Sequence, residues 1–597
     1  MVKGSNHNIK SISLGFGLII LGQGHALADD FVVSLDSTAT NGGFTIDGAD
    51  TLTVNSGISL DRTGLTLSPA VNTTGGNNTV TNNGSITGDA TSDARGVVFN
   101  GTLSTLNNNG GISTLTATAH AFEAIGNRAT VNNTGSVVTT GNTSHALYFS
   151  GSSAGLINNG SIHATGAGSD GVRFNGSTNS LTTSGVIVSR QSNAIFFGGG
   201  ENFLNLNAPA YVEGAIVLAN STFVTINSGQ SHSFQWAFTG APWFAMLING
   251  SVPTVISGTT VASIDPTVFQ ETPNAMYETT GHVFNAIAGR TQSIFPGSTT
   301  NLVVSTKYGP VADDPVVAAP SGARKWVSGY GGAAWHKASG VKLAHMDAQM
   351  GLVAGIDWSR GPDRIFGLAV GGGGGAFAAN APFMKSHRVQ SFTGFANIYG
   401  ARRLGQAVLD YGLMGGIQSH NSQRFINNNA ILGGIDTARA TYGSSYLAPR
   451  VSLRRSFDIG TGLVLTTTGS LGYVAGHVNG YTETATASTA TYSARNFGLG
   501  TAQIKAKVTK FIGATAISGN FGIISQTGFG NEPLSGTLLG QAWTYTTANT
   551  SGLSGLVGVA LEHQFGPNMN GAITTGANVS SAGLSNIKGS ASLRIEF

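Results

Sequence analysis

The sequence predicts an all-β chain: a right-handed parallel β-helix, then one helix, then a transmembrane β-barrel of roughly twelve strands. Three observations carry this. A phrase of the form Asn-Asn-Gly-Ser-Ile returns every 25 or 26 residues in the first half. Segments of about ten residues alternate in polarity through the second half, as barrel strands do. Between the two, Ala262 to Gln292 reads as a helix in a chain otherwise written in Gly, Asn, Thr and Ser.

The chain has 597 residues, 87 of them Gly and none Cys, with 10% charged residues and a net charge of +3. Few charges and moderate hydrophobicity argue against disorder, and the small net charge gives no footprint for nucleic acid. Residues 1–28 have the form of a secretory signal. Lys3 and Lys10 are the basic end, Ser11 to Leu21 is apolar, and Ala26-Leu27-Ala28 is a small-x-small site that predicts cleavage after Ala28. No later apolar run reaches the length of a membrane-spanning helix.

In the repeat, Gly84, Gly110, Gly135, Gly160 and Gly185 keep step with a second short apolar run that begins at Gly96, Ala121, Ala146, Gly171 and Ala194. One coil cannot bury its own apolar face, but coils stacked at strand spacing share a continuous core. Asn83, Asn109 and Asn159 precede the turn glycines and are placed to ladder their amides along the stack. Roughly eight coils fit from Phe31 to about Ala237 at this period, with Phe234, Trp236 and Phe238 as an end cap.

The same frame aligns Arg95, His120, His145, Asp170 and Asn193 in one polar column. His120, His145 and Asp170 are the candidate metal ligands, although any polar residue suits a solvated turn. "GSSAG", with Ser153 at its centre, matches a nucleophile elbow but has no helix after it. "GGGENFL" from Gly198 resembles a calcium nonapeptide without its Asp. Glu123, Asp170, Glu201 and Glu213 stand apart in the repeat. No catalytic residue and no cofactor is therefore predicted, and a polysaccharide-active β-helix is the rival reading.

In the second half, Arg450, Ser452, Arg454 and Ser456 oppose Val451, Leu453 and Phe457, and Gln503, Lys505, Lys507 and Thr509 oppose Ala502, Ile504, Ala506 and Val508. In a membrane barrel the apolar set meets lipid and the polar set lines the lumen. Strands are expected near Trp326, Gly351, Ile365, Gln390, Leu404, Tyr442, Val464, Asn496, Ala516, Leu538, Leu556 and Ile587, with "GAITTGANVS" as a surplus thirteenth. Trp326, Trp358, Tyr399, Tyr411, Phe511 and Trp543 are expected as interface girdles. The final "SASLRIEF" puts Leu593, Ile595 and Phe597 on one face.

A signal segment, a β-helix, a short helix and a terminal barrel ending in Phe together resemble a monomeric autotransporter of type V secretion. "WVSGYGGAAW" from Trp326 and "GLVAGIDWS" from Gly351 strengthen the likeness. The resemblance implies a passenger displayed at the surface of a Gram-negative cell, a helix inside the pore, and Leu593, Ile595 and Phe597 as a sorting signal. It also implies Sec export, outer-membrane lipid and the barrel-assembly machinery as partners, with adhesion or aggregation as the passenger's work through a surface ligand or self-association. A barrel acting mainly as a porin is a further rival. The domains are then 1–28 signal, 29–261 passenger, 262–323 pore helix and linker, and 324–597 barrel.

Asp265-Pro266 and Thr272-Pro273 each read as N-cap then first helical residue. Pro273 is expected to limit the helix to about Pro273–Arg290, long enough to fill a barrel's apolar band. Glu271 and Glu278 are expected to face lumen groups such as Arg450, Arg454, Lys505 and Lys507. Gly281 in mid-helix has no sequence explanation.

Overall fold

The computed structural model describes residues 10–11, 28–38, 43–62, 68–88, 94–219, 221–230, 232–240, 245–295, 323–484, 487–546, 551–580 and 583–597. Most of the signal segment and most of the linker after the helix lie outside these residues. The chain forms two compact units. One holds residues up to Ile264 together with Phe425–Asp436; the other holds Asp265–Arg424 and Thr437–Phe597.

The first unit is a parallel β-helix whose coils carry three short strands. One coil reads Thr105–Asn108, Gly111–Thr114 and Phe122–Ala124. Each strand pairs in parallel with its equivalent one coil away, as in Thr105↔Thr130, Gly111↔Ser136 and Phe122↔Leu147. The first of these strands belongs to an 11-stranded sheet, nine of whose strands fall between Phe31 and Ala237, against the roughly eight coils expected there. The end coils are shorter than the repeat: Ser180↔Phe203 and Phe203↔Phe223 step by only 23 and 20 residues. A 25-residue frame therefore undercounts them.

Packing explains the repeat. Phe99, Phe149, Phe174 and Phe197 are buried in one stack, with neighbouring centroids 4.5 Å apart at Phe149–Phe174 and 5.0 Å at Phe174–Phe197. The rung between Phe99 and Phe149 carries Ala124. Phe122, two residues earlier and on the same face, fills the gap and touches Phe99 at 5.1 Å and Phe149 at 5.4 Å. Volume is thus conserved within the coil, as close packing demands.

A second ladder is polar and wholly buried. Asn82, Asn108, Asn133 and Asn158 pass amide hydrogen bonds along the stack at 2.8, 2.7 and 2.7 Å, ending on Thr183 at 3.1 Å. The expected column one residue later is also present but faces solvent: Asn109 donates to Asn83 at 2.9 Å. Strand alternation puts one asparagine inside and the next outside.

Left-handed backbone recurs at one turn position: Leu103, Arg128, Ser153, Thr178 and Glu201 have φ of 61°, 61°, 59°, 59° and 55°. Ser153 of "GSSAG" and Glu201 of "GGGENFL" are therefore turn residues of the repeat, which accounts for both motifs. Phe234, Trp236 and Phe238 are buried within the same continuous core.

The second unit is a closed 12-stranded antiparallel barrel around one helix. The strands are β1 (Ala323–His336), β2 (Ala344–Ser359), β3 (Arg364–Asn380), β4 (Lys385–Leu404), β5 (Ala407–Asn428), β6 (Ile435–Gly460), β7 (Leu463–Val478), β8 (Arg495–Ile512), β9 (Thr515–Phe529), β10 (Gly552–Gly566), β11 (Met569–Ser580) and β12 (Gly583–Glu596). Pairing of β1 with β12, Trp326↔Glu596 through His336↔Asn586, closes the ring.

The expected segment at Leu538 is not a barrel strand, and "GAITTGANVS" is one. Leu534–Leu538 and Gln541–Tyr545 instead form a 4-stranded sheet with Tyr481–Thr482 and Ala490–Tyr492. These strands alternate as barrel strands do but are too short to cross a bilayer.

The barrel's outward face is apolar: Leu352, Val370, Phe392, Ile417, Leu471, Ile504, Leu553 and Ile573 are all exposed. Val451, Leu453 and Phe457 face outward with them while Arg454 is buried, so the polarity alternation has the phase expected. Trp326 and Tyr399 are not girdle residues, however. Both are buried inside the barrel, seated on glycines of the neighbouring strand: a Cβ at Gly355 would meet the Trp326 indole at 2.5 Å, and one at Gly367 would meet the Tyr399 ring at 2.3 Å. Trp543 is buried too, against Tyr492 of the 4-stranded sheet. Each of these positions is in inward phase, which a reading of strand ends alone overlooks.

Candidate functional site

Helix α1 runs from Thr267 to Ile294, longer at both ends than expected and with Pro273 inside it. The N-cap is Pro266, one residue later than expected and with no side-chain cap bond, and Asp265 precedes it. One Asp265 oxygen, Oδ1, accepts from the Thr267 amide at 2.9 Å and the Thr267 hydroxyl at 2.5 Å, and the other, Oδ2, accepts from Ser386 at 2.7 Å. Thr272 is not a cap; its hydroxyl donates back to the Val268 carbonyl at 2.9 Å.

Pro273 has no N–H, so the Phe269 carbonyl loses its helical partner. A guanidinium N–H of Arg495, on β8, donates to that carbonyl at 2.9 Å. The helix passes through the proline because the barrel wall replaces the missing donor. At Gly281 an added Cβ would meet nothing within 4 Å, so close packing does not require this glycine.

Charge pairs, half-buried at the start and middle and fully buried at the end, hold the helix along its length. Glu271 accepts from Lys342 at 2.6 Å and from Asn274 at 2.7 Å. Glu278 pairs with Lys588. At the far end Arg290, almost fully buried, forms a fork on Asp357 at 2.9 and 3.1 Å and also reaches Glu596 at 2.5 Å. Asp357 accepts from Tyr399 at 3.2 Å, and Tyr399 from the Trp326 indole at 2.7 Å. Thr291 donates to Asp410 at 2.6 Å, and Arg454 donates to the same carboxylate at 3.0 Å.

The expected lumen residues are thus sorted differently. Arg454 serves the helix through Asp410. Arg450 lies over the Phe284 ring at 5.7 Å, within cation–π range. Lys507 pairs with Glu562 on β10 at 2.5 Å. Lys505 lies between Thr468 and Gly522 in the strand register. The acids of the helix took Lys342 and Lys588, which no strand-level pattern had marked. Arg290 and Asp357 were missed as well; the available signal was a lone arginine late in a helix rich in Ala and Ile.

At the closure seam, Leu593 lies opposite Gly329 and Ile595 opposite Val327, and the Phe597 amide donates to the Lys325 carbonyl at 2.9 Å. The Phe597 ring is 76% exposed on the apolar outside. Ala28 is described as an exposed residue, while the rest of the cleavage motif lies outside the described residues.

In the β-helix, His120 and His145 stack with centroids 4.9 Å apart. His120 Nδ1 accepts the His145 amide and His145 Nδ1 accepts the Asp170 amide, both at 2.9 Å. Asp170 accepts from Arg173 at 2.9 Å and from the Asn193 amide at 3.0 Å. The column is a chain of side chains that satisfy the backbone of the next coil. Each Nδ1 lone pair is used in this way and is not available to a cation. Burial, then the neighbouring His145, pushes His120 down to about 3, and burial lowers His145 as well, so both rings are neutral acceptors. Among the described residues no group of three or more His, Cys, Asp or Glu converges as a ligand set.

Residues 325–576 match a family model described as an autotransporter beta-domain. No curated protein matches the chain. Among solved structures, the translocator domain of the autotransporter NalP from Neisseria meningitidis is 12% identical, covering 54% of this chain and 98% of its own, with a TM-score of 0.38. The transport unit of AIDA-I from Escherichia coli is 12% identical over 46% of this chain and 90% of its own, with a TM-score of 0.33. The beta domain of Bordetella BrkA is 14% identical over 46% of this chain and 98% of its own, with a TM-score of 0.32. With a closed barrel whose outward face is apolar and a parallel β-helix preceding it in sequence, the matched residues are an autotransporter beta-domain, a transport barrel of the Gram-negative outer membrane.

Proposed function

We propose that α1 is both plug and tether of the barrel, and that the β-helical passenger acts by contact, in adhesion or aggregation, rather than by catalysis. The observation that supports contact is a polar column presented once per coil on the outside of the β-helix. Asn109 donates to Asn83 at 2.9 Å, Thr134 to Asn109 at 2.8 Å and Ser184 to Asn159 at 2.6 Å, all exposed. Amide and hydroxyl groups repeated at strand spacing suit weak multivalent binding of glycans or of a second passenger. Three of the four acids that a polysaccharide-active enzyme would use are committed to arginines, Glu123 to Arg95 at 2.8 Å, Asp170 to Arg173 at 2.9 Å and Glu213 to Arg190 at 3.2 Å, and the fourth, Glu201, stands apart at a turn of the repeat.

In this reading residues 1–28 direct Sec export and are cut after Ala28, 29–261 are the passenger, 262–323 the pore helix and linker, and 324–597 the barrel. Glu271, Glu278 and Arg454 hold the helix, and Arg450, Lys505 and Lys507 line the wall around it. The barrel-assembly machinery reads Leu593, Ile595 and Phe597. The test compares cells bearing the full chain with cells whose chain lacks 29–261. Settling rate and glycan-array binding should fall in the truncated form while the barrel still assembles. Equal settling and equal binding would sink the contact reading, and turnover of polysaccharide by the full chain would favour the enzyme.

A further inference from the structure

Around α1 the cations of the second unit pair with carboxylates. Arg290 meets Asp357, Lys342 meets Glu271, Arg454 meets Asp410, Lys507 meets Glu562, Lys588 meets Glu278 and Arg594 meets Glu596. Arg450 on β6 and Lys505 on β8 differ. Among the described residues neither makes a hydrogen bond or an ion pair, and Arg450 has only the Phe284 ring at 5.7 Å. Their neighbours Val451 and Ile504 are exposed on the apolar outside, so strand alternation turns Arg450 and Lys505 into the lumen, where both are half-buried. Lys505 stands within electrostatic reach of Arg450 and of Lys507. The nearby acids, Glu562 and Asp410, are already taken by Lys507 and Arg454.

The strand register builds a patch between the two cations. Arg450 lies opposite Gly472, which lies opposite Thr501; Thr468 lies opposite both Arg454 and Lys505. The rung between them is Ser452, Ser470 and Gln503, on the same inward face, with Ser470 donating to Gln503 Oε1 at 3.5 Å. Gly472 leaves room in this patch: a Cβ there would lie 3.1 Å from the Thr501 hydroxyl and 3.9 Å from Arg450 Cγ. Two like charges held partly out of water with no counter-charge are costly. We propose that Arg450 and Lys505 are a binding site inside the barrel for a small oxyanion of the phosphate or sulfate class. A guanidinium offers paired N–H donors and a lysine a compact charge, which together suit a tetrahedral oxyanion. The hydroxyls of Ser452 and Thr468 and the amide of Gln503 add uncharged donors on the same face. The bound ion joins β6 to β8 across β7 and neutralises the wall beside Phe284. Because the site faces the lumen, the ion comes from solution and not from a lipid headgroup.

The test is calorimetric titration of inorganic phosphate into the full chain, purified in detergent without lipid and held at constant ionic strength. Heat-modifiable mobility of the barrel is the control for its folding. Wild type should bind phosphate saturably, and its urea midpoint should rise with phosphate and then level off, unlike the unsaturating effect of an excluded salt. R450Q/K505Q should weaken binding at least about tenfold, the loss expected when charged donors are removed. R360Q, on an exposed turn, removes a cation elsewhere and should match wild type. If the double variant fails to fold its barrel, K505Q carries the test, since it leaves Arg450 on the Phe284 ring; it should weaken binding in the same direction. No saturable binding by wild type would overturn the site. So would wild-type affinity in folded R450Q/K505Q, or in K505Q where that variant carries the test.

Discussion

An Arg495 guanidinium N–H lies 2.9 Å from the Phe269 carbonyl, the acceptor that Pro273 leaves without its helical N–H. A side chain on a barrel strand thereby repairs a backbone defect in the helix that the barrel encloses. Removing Arg495 by R495A should cost about 1.5–3 kcal/mol, the range for a hydrogen bond from a charged donor. In a P273A background the helix regains its own N–H, and the same change should cost less. A double-mutant cycle on the urea midpoint of the heat-modifiable barrel checks this; additive costs would remove the relationship.

Arg290 and Asp357 form the most deeply buried charge pair on the helix. R290A leaves Asp357 buried without its partner and is expected to destabilise the barrel by about 3–5 kcal/mol. Replacing both by apolar residues should cost less than either single change. The same variants should raise ion conductance in planar bilayers, because they loosen the plug. Deleting Pro273 to Arg290 sets the upper limit of that conductance, and unchanged conductance on deletion would remove the plug role.

The two asparagine columns of the β-helix should behave differently. N108A opens the buried ladder on both sides, leaving polar groups of Asn82 and Asn133 without partners at a cost of about 1–3 kcal/mol each. N109A, one residue away on the exposed face, should stay within about 0.5 kcal/mol. Urea titration of passenger protease resistance in the detergent-solubilised chain separates them.

Acid should loosen the middle coils. His120 is held at about 3 by burial and then by His145, Arg95 and Arg173; the Tyr148 ring packs against both histidines. His145 is lowered by burial, against the opposing pull of Asp170. The unfolded chain takes up protons near the ordinary histidine value while the folded coils do not. Stability is therefore complete above about pH 6.5 and falls as pH drops, for His120 down to about 3 by up to about 1.4 kcal/mol per pH unit, with His145 adding in the same direction. H120Q keeps an acceptor and should flatten the profile. An unchanged slope between pH 7 and 4.5 would show that these rings do not carry the effect.

Periodicity was sufficient for architecture because it records burial directly. Gly84 through Gly185 counted the central coils, and the alternation at Val451, Leu453 and Phe457 separated lipid face from lumen. The chain of His120, His145 and Asp170 was visible as a column for the same reason. What periodicity cannot carry is the identity of a partner far away in sequence. Whether Pro273 ends a helix depends on a donor at Arg495; whether Glu271 meets Lys342 or a lysine of β8 depends on the rotation of α1 within the barrel. The short strands at Leu538 share their alternation with barrel strands, and only pairing with Ala490–Tyr492 assigns them elsewhere. Local spacing thus settled what each strand turns toward water, lipid or core, since that is decided residue by residue. Tertiary packing settled which charges, carbonyls and rings meet, since those contacts join residues whose separation in sequence, 226 positions for Arg495 and Phe269, leaves no local trace.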